Sequence, residues 1–548
     1  MAMGSRDSSP LPEIADVVIV GAGPSGAVAA KALSAAGMSV VCLEQGGWPD
    51  YSSSRADAPD FELSAGNEWS QLPNVRQGVG DYPVDESDSD ISALIWNGVG
   101  GSSILYAGHW MRNLPSDFRV RTLDGVADDW PISYEDLIPY YNRVEQDFGV
   151  SGLNGDPAFP GADKYPMPPV PIGRAGRKVG AGHNDLGWHW WPGSNAIATK
   201  DYGALRPCVQ RGTCLNGCKD GAKGTPDHTH WPEAVRRGVH LVTRATATRI
   251  ETDASGKHAT GVVYFDGEGV ERRQRGHVII LAANGIGTPR LLLLSASSTH
   301  PNGLANSSGL VGKRLMMHPF AAVVGVFDED LGTTQGAYGQ LLYSLEFYET
   351  DESRGFVRGA KWNLMPTGGP IAMMRPFPWG GNDDLWGGRL HQTVAERLGR
   401  SATWGIIAED LPYESNQVTL SSVMADEWGT PAPKLTYRTD ENSRRMLDFH
   451  LARAQESLLA SGANKVVVAP QIRETGWHLL GTAKMGEDPD TSVVDQYGRT
   501  HDVGNLFIMD GSTWPTSSGM NPTATIVAMA LRSVERLIAT RRNQEVAV

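Results

Sequence analysis

Four short apolar runs punctuate the chain: DVVIV at 16–20, SVVCLE at 39–44, VIILAA at 278–283 and LFIMD at 506–510. Each is too short for an ordinary helix and has few polar positions, the pattern of a parallel strand buried on both faces. Helix-like stretches follow. After the first run, GAGPSG leads into an Ala-, Val- and Leu-rich segment. After the third, a turn with Gly285 and Gly287 precedes RLLLLS, and Pro289, suited to a helix's first turn, places that helix start near itself. After the fourth, Asn521-Pro522-Thr523 opens an apolar helix. Strand–helix–strand order predicts an α/β protein with a Rossmann-like domain.

The first unit carries the chemistry of a dinucleotide site. Gly21, Gly23 and Gly26 form GxGxxG between strand and helix, and Glu44 ends the next strand. The first glycine permits the tight turn, the second lets a pyrophosphate approach the backbone, and the third lets helix and strand pack closely. The helix N-terminus offers unpaired N–H groups to the phosphates, and the acid can accept from a ribose diol. This loop does not by itself separate FAD from NAD. Cys42, inside the second strand, reads as a core thiol.

Composition narrows the partners. The 548 residues allow two to four domains or one composite, and 40% hydrophobic with 20% charged residues is ordinary globular material. A formal charge of -14 argues against a nucleic-acid role. No apolar run is long enough to span a membrane, and the first fifteen residues lack a signal-peptide core, so a cytoplasmic protein is expected. Four cysteines in so long a chain fit a reducing compartment.

Further motifs decide the class. WNGVGGSSILYAGHWMR (96–112) is a glycine-rich loop able to approach a ligand closely. Near the C-terminus stand GWHLLGTAKMG (476–486) and DGSTWPTSSGMNPT (510–523). With GAGPSG, AANGIGTPRLL and VGKRLMMHP, these run along the whole chain in the order found in the glucose-methanol-choline (GMC) family of FAD oxidoreductases, which the sequence resembles. DDWPISYEDLIPYYNRVEQDFGVSG (128–152) is similar to the bacterial branch of pyranose oxidases, glycoside 3-oxidases and gluconate or glucose dehydrogenase large subunits.

The resemblance implies a discontinuous FAD domain (14–112, 200–325 and 470–545), an α+β substrate domain (326–469), a connecting or lid region (113–199) and a flexible tail (1–13). It implies non-covalent FAD, because Leu105 stands where tethering members carry a histidine. It implies His478 as general base with Asn521 beside it, a neutral-range base being suited to taking a hydroxyl proton. His318, in LMMHP, matches a structural position in the family. Cofactor contacts are expected from Gly21, Gly23, Ser25, Gly26, Glu44, Gly101, Ser102, Ser103, Tyr106, Ala107, Asp510, Gly511, Asn521 and Thr523. The implied reaction is oxidation of a secondary hydroxyl, at the second or third carbon of glucose or a glycoside, with oxygen as acceptor and hydrogen peroxide as product. The alternatives are a sugar dehydrogenase passing electrons to a quinone, dye or cytochrome partner, and a non-catalytic or lyase-like flavoprotein.

Two features stay open at this level. Trp188, Trp190, Trp191, Trp379 and Trp386 could stack on a pyranose or simply pack, and MMRPFPWGGNDDLWGG (373–388) reads as a long loop of the kind that forms lids. Cys208, Cys214 and Cys218 resemble the three-cysteine iron–sulfur loop of cytochrome-linked sugar dehydrogenases, and also a loop of relatives without a cluster. Three thiolates cannot complete a four-cysteine set. A plain flavoprotein without metal is the expectation.

Overall fold

A computed structural model describes residues 10–58, 61–64, 69–78, 80–374 and 386–546. Residues 375–385 of the long loop, Trp379 with them, and residues 1–9 of the tail lie outside that set.

All four apolar runs are strands of one seven-stranded sheet. Its path is His240–Thr243, Val40–Glu44, Ile14–Val20, Glu271–Leu281, Ala259–Phe265 and Thr246–Thr252. Glu271–Leu281 is long enough to hold two neighbours along one edge. Its first half pairs antiparallel with Ala259–Phe265, and its second half pairs parallel with Leu506–Ile508. Val17 to Ile19, Val40 to Leu43 and Ile279 to Leu281 are buried, as a parallel sheet covered on both faces requires. The helices Pro24–Ala35 and Thr523–Val546 pack on each other beside this sheet.

The helix expected near Pro289 begins five residues earlier, at Asn284, and runs to Leu294. Proline lacks the N–H that would bond the carbonyl four residues back. Here that carbonyl, on Gly285, accepts instead from the Thr482 hydroxyl at 2.8 Å. A contact from a segment almost two hundred residues away thus allows the helix to run through its proline.

A second sheet of six antiparallel strands is ordered Lys465–Ala469, Phe320–Val326, Ser401–Ala408, Ala360–Met365, Leu342–Ser344 and Trp191–Pro192. Its two faces differ. Trp362, Leu364, Trp404 and Ile406 point into an apolar cluster with the helices Gly173–Leu186 and Glu441–Ala460. The alternate positions Asn363, Met365, Thr403 and Ile407 face a cavity instead. A short strand and a helix from the 113–199 region therefore join this sheet. A three-stranded sheet (Gln417–Ala425, Pro431–Tyr437, Asp85–Ser89) completes the architecture.

Candidate active site

One cavity of about 850 Å³ lies between the two sheets. Its floor is the C-terminal edge of the parallel strands, where α/β sheets place ligands: Val20, Gly21, Leu43, Glu44 and Ala282. Its roof is the alternate face of the six-stranded sheet.

The glycine loop has the geometry of a phosphate cradle. Gly21 sits at φ +104°, and a Cβ there would lie 2.4 Å from the Ala282 carbonyl oxygen. Gly26 lies beneath the turn, where a Cβ would come within 2.0 Å of the Gly21 carbonyl oxygen, so its smallness serves packing and it does not line the cavity. Gly23 is different. Its backbone is extended, and a Cβ would meet nothing nearer than the Gly101 Cα at 3.9 Å. The protein itself leaves that space open, at the N-terminus of Pro24–Ala35, which is the fit a pyrophosphate needs.

The remaining positions predicted to hold the cofactor, Ser25, Glu44, Gly101, Ser102, Ser103, Tyr106, Ala107, Asp510, Gly511, Asn521 and Thr523, all line the same cavity. Glu44 accepts from the backbone N–H of Ala22 at 2.7 Å and of Gly46 at 2.9 Å. Burial raises its carboxyl to about 7 against those two donors. Tyr106 is tied by its hydroxyl to the Gly224 carbonyl, and Asp510 accepts from Thr288 and Ser512. These bonds fix the walls before any ligand enters.

The proposed catalytic pair also meets in this cavity. The Asn521 amide nitrogen stands 3.5 Å from His478 Nε2. His318, placed by sequence among structural residues, is part of the same array. Its Nδ1 is 2.7 Å from His478 Nδ1, and its Nε2 is 3.1 Å from the Ser517 carbonyl oxygen. A carbonyl can only accept, so the His318 proton sits on Nε2 and its Nδ1 is a lone pair. His478 must then donate from Nδ1, which leaves His478 Nε2 unprotonated on the side of Asn521. Burial keeps both rings neutral, with His318 lowered to about 4 and His478 well below the usual histidine range.

The backbone at His318 supports this arrangement. Its φ is +56°, a left-handed conformation costly for a non-glycine residue. The Asp410 carboxylate receives the Met317 N–H at 3.0 Å and the Tyr437 hydroxyl at 2.7 Å, pinning the turn.

Two further groups were not among the site residues expected from sequence. His109 is buried, lines the cavity and leaves Nε2 without a partner. Lys361 is fully buried and donates to Asn521 Oδ1 and, at 2.8 Å, to Gln340 Oε1. The signal for Lys361 was present in AKWNLM, where Lys361 and Asn363 alternate with apolar residues. Such alternation reads as a solvent face, whereas this face covers the cavity. Of the tryptophans considered for sugar stacking, Trp188 packs on Phe347 and Trp362, and Trp386 is 84% exposed. Among the described residues, the tryptophans that do line the cavity are Trp96 and Trp477.

Leu215, inside the cysteine loop, also lines the cavity. Cys214 is buried and Cys208 and Cys218 are half-buried, all as free thiols. Among the described residues, no three His, Cys, Asp or Glu side chains gather as a metal site. Among them also, no helix is long and apolar enough to cross a membrane.

Sequence comparison matches residues 178–320 and 412–530 to the two GMC oxidoreductase family models, and residues 14–60 to an FAD binding domain. The 2-methyl-1,2-propanediol dehydrogenase of Mycolicibacterium austroafricanum is 40% identical over 94% of this chain and 94% of its own. This chain belongs to the GMC oxidoreductase family. The fructose dehydrogenase large subunit of Gluconobacter japonicus is 30% identical over 96% of this chain and 98% of its own. The 6'''-hydroxyparomomycin C oxidase of Streptomyces lividus is 30% identical over 96% and 91%. The solved structure of pyridoxine 4-oxidase from Mesorbium loti shares the fold, with a TM-score of 0.61 at 18% identity over 95% of this chain and 99% of that one. As a GMC oxidoreductase the protein is an FAD enzyme acting on CH–OH groups of alcohol or sugar-like substrates.

Proposed function

We propose that this GMC enzyme oxidises one hydroxyl of a polyhydroxylated substrate, a small polyol or a sugar, with His478 as the base and Asn521 as the donor to the reacting oxygen. The observation that carries this reading is the proton-free Nε2 of His478, set by the Ser517–His318–His478 chain and aimed beside the Asn521 amide. Gly23, Glu44 and the loop from Gly101 to Ala107 would hold the FAD. When bound, FAD supplies the hydride acceptor. The chain's own part is to hold the substrate carbinol, take its hydroxyl proton at His478 Nε2, and steady the negative oxygen through the Asn521 N–H.

The test is anaerobic. Vicinal diols, glucose and alkyl glucosides are added to the yellow enzyme and flavin absorbance is followed. Bleaching by a diol or sugar is expected, and none across the panel would reject the reading. Bleaching by glucosides with formation of a keto-sugar would fix the narrower assignment, a secondary hydroxyl at the second or third carbon. Admission of air then tests the acceptor. Rapid return of colour with one peroxide per flavin supports oxygen, whereas slow return in air and fast return with a quinone dye supports a dehydrogenase.

The same preparation tests the flavin linkage. Leu105 is buried against the cavity and carries no nucleophile. Acid precipitation should leave the yellow colour in the supernatant. Colour in the pellet would mean a covalent bond, with the unpartnered His109 Nε2 the first atom to examine.

A further inference from the structure

Lys361 has an environment that folding alone does not favour. It is fully buried on the cavity side of the second sheet, and among the described residues no carboxylate pairs with it. A buried amine without an acid partner costs stability, because water is lost and no opposite charge replaces it. An apolar side chain in its place would avoid that cost. Its bonds point to another role. One hydrogen goes to Gln340 Oε1, and that glutamine is itself anchored, its Nε2 donating to the Ser194 carbonyl at 2.9 Å. Another goes to Asn521 Oδ1.

We infer that Lys361 is a positioning residue for the reaction: by donating to Asn521 Oδ1 it fixes the amide so that the Asn521 N–H, and not its carbonyl, faces His478 Nε2 and the substrate oxygen. The chemistry is one of orientation. A primary amide is nearly symmetric in shape, so an unrestrained Asn521 can present either end to the cavity. With the carbonyl inward, an acceptor would oppose the oxygen as it becomes negative. As an ammonium Lys361 has only N–H donors to offer, so it is satisfied here by the carbonyl end of Asn521, which turns the N–H₂ end inward. The backbone strand Ala360–Met365, paired on both sides, holds the lysine in register for this contact.

This inference rests on the catalytic reading of Asn521, and a double-mutant cycle tests it in the FAD-loaded enzyme. Lys361→Met, which keeps the length of the stem nearly unchanged and removes the donor, should slow anaerobic flavin reduction on the order of 10- to 100-fold. Asn521→Ala should slow it by a similar factor. The double variant should be no slower than Asn521→Ala alone, because the lysine acts only through the amide. If the two losses multiply, or if Lys361→Met reduces flavin at the wild-type rate, the inference is wrong. Lys361→Leu serves in its place if the methionine variant does not retain flavin.

A second readout needs no turnover. The tertiary alcohol 2-methyl-2-propanol has no hydrogen on its carbinol carbon and cannot be oxidised, so its binding is read from the perturbed flavin spectrum. Lys361→Met and Asn521→Ala should weaken it equally and non-additively, and independent effects would overturn the proposal. The two readings fail separately. Normal flavin reduction in His478→Ala would remove the base assignment, while this binding cycle would still decide the role of Lys361.

Discussion

Replacing His478 with alanine should slow flavin reduction by roughly 10²–10⁴-fold, the contribution of a positioned general base. The variant should still fold and hold FAD, because His478 closes the cavity without supporting either sheet. Asn521→Ala should cost less, since it removes one neutral hydrogen bond and not the proton acceptor. The pH profile supplies an independent check. Burial, with His318, Lys361 and His109 adding to it, holds His478 well below the ordinary histidine range. As the proposed base, His478 acts in its proton-free form, which persists as pH falls, so the reduction rate should stay level from roughly pH 8 to 6, through the usual histidine titration. Stopped-flow reduction across that range measures it. Wild-type rates in His478→Ala, or an acid limb centred on the usual histidine value, would assign the base elsewhere.

Gly23→Ala should lower FAD affinity about ten- to a hundredfold, the effect of one misplaced methyl at a close contact. Stability of the apoprotein should not fall. The backbone at Gly23 is extended and acceptable to alanine, and the added Cβ has no protein atom nearer than 3.9 Å. A small gain is expected from the stiffer unfolded chain. Gly26→Ala gives the reverse. Its Cβ would press to 2.0 Å from the Gly21 carbonyl oxygen, so the helix must move and the melting temperature should drop. Titration of apoprotein with FAD, beside thermal melts of both variants, separates the two glycines. FAD binding by Gly23→Ala at wild-type strength would mean that the phosphates do not approach the backbone there.

The apolar runs, the glycine loop and Glu44 were legible in the sequence because their meaning is local. Strand, turn and helix N-terminus lie within thirty-odd residues, and the spacing of the glycines reports the turn directly. The terminal motifs with His478 and Asn521 were legible through resemblance along the whole chain. Their partners were not. His318 meets His478, and Lys361 meets Asn521, each across 160 residues, and no periodicity in either segment reports what lies opposite. Pro289 shows the same limit. Its helix start was misplaced because a distant threonine satisfies the carbonyl that proline leaves free. The sequence by itself determined the dinucleotide-binding unit, the family and the residues proposed to carry the chemistry. Only the tertiary structure decided which nitrogen of His478 is free of its proton and which end of Asn521 faces it. Those choices are made by hydrogen bonds between segments that meet only once the two sheets have closed over the cavity.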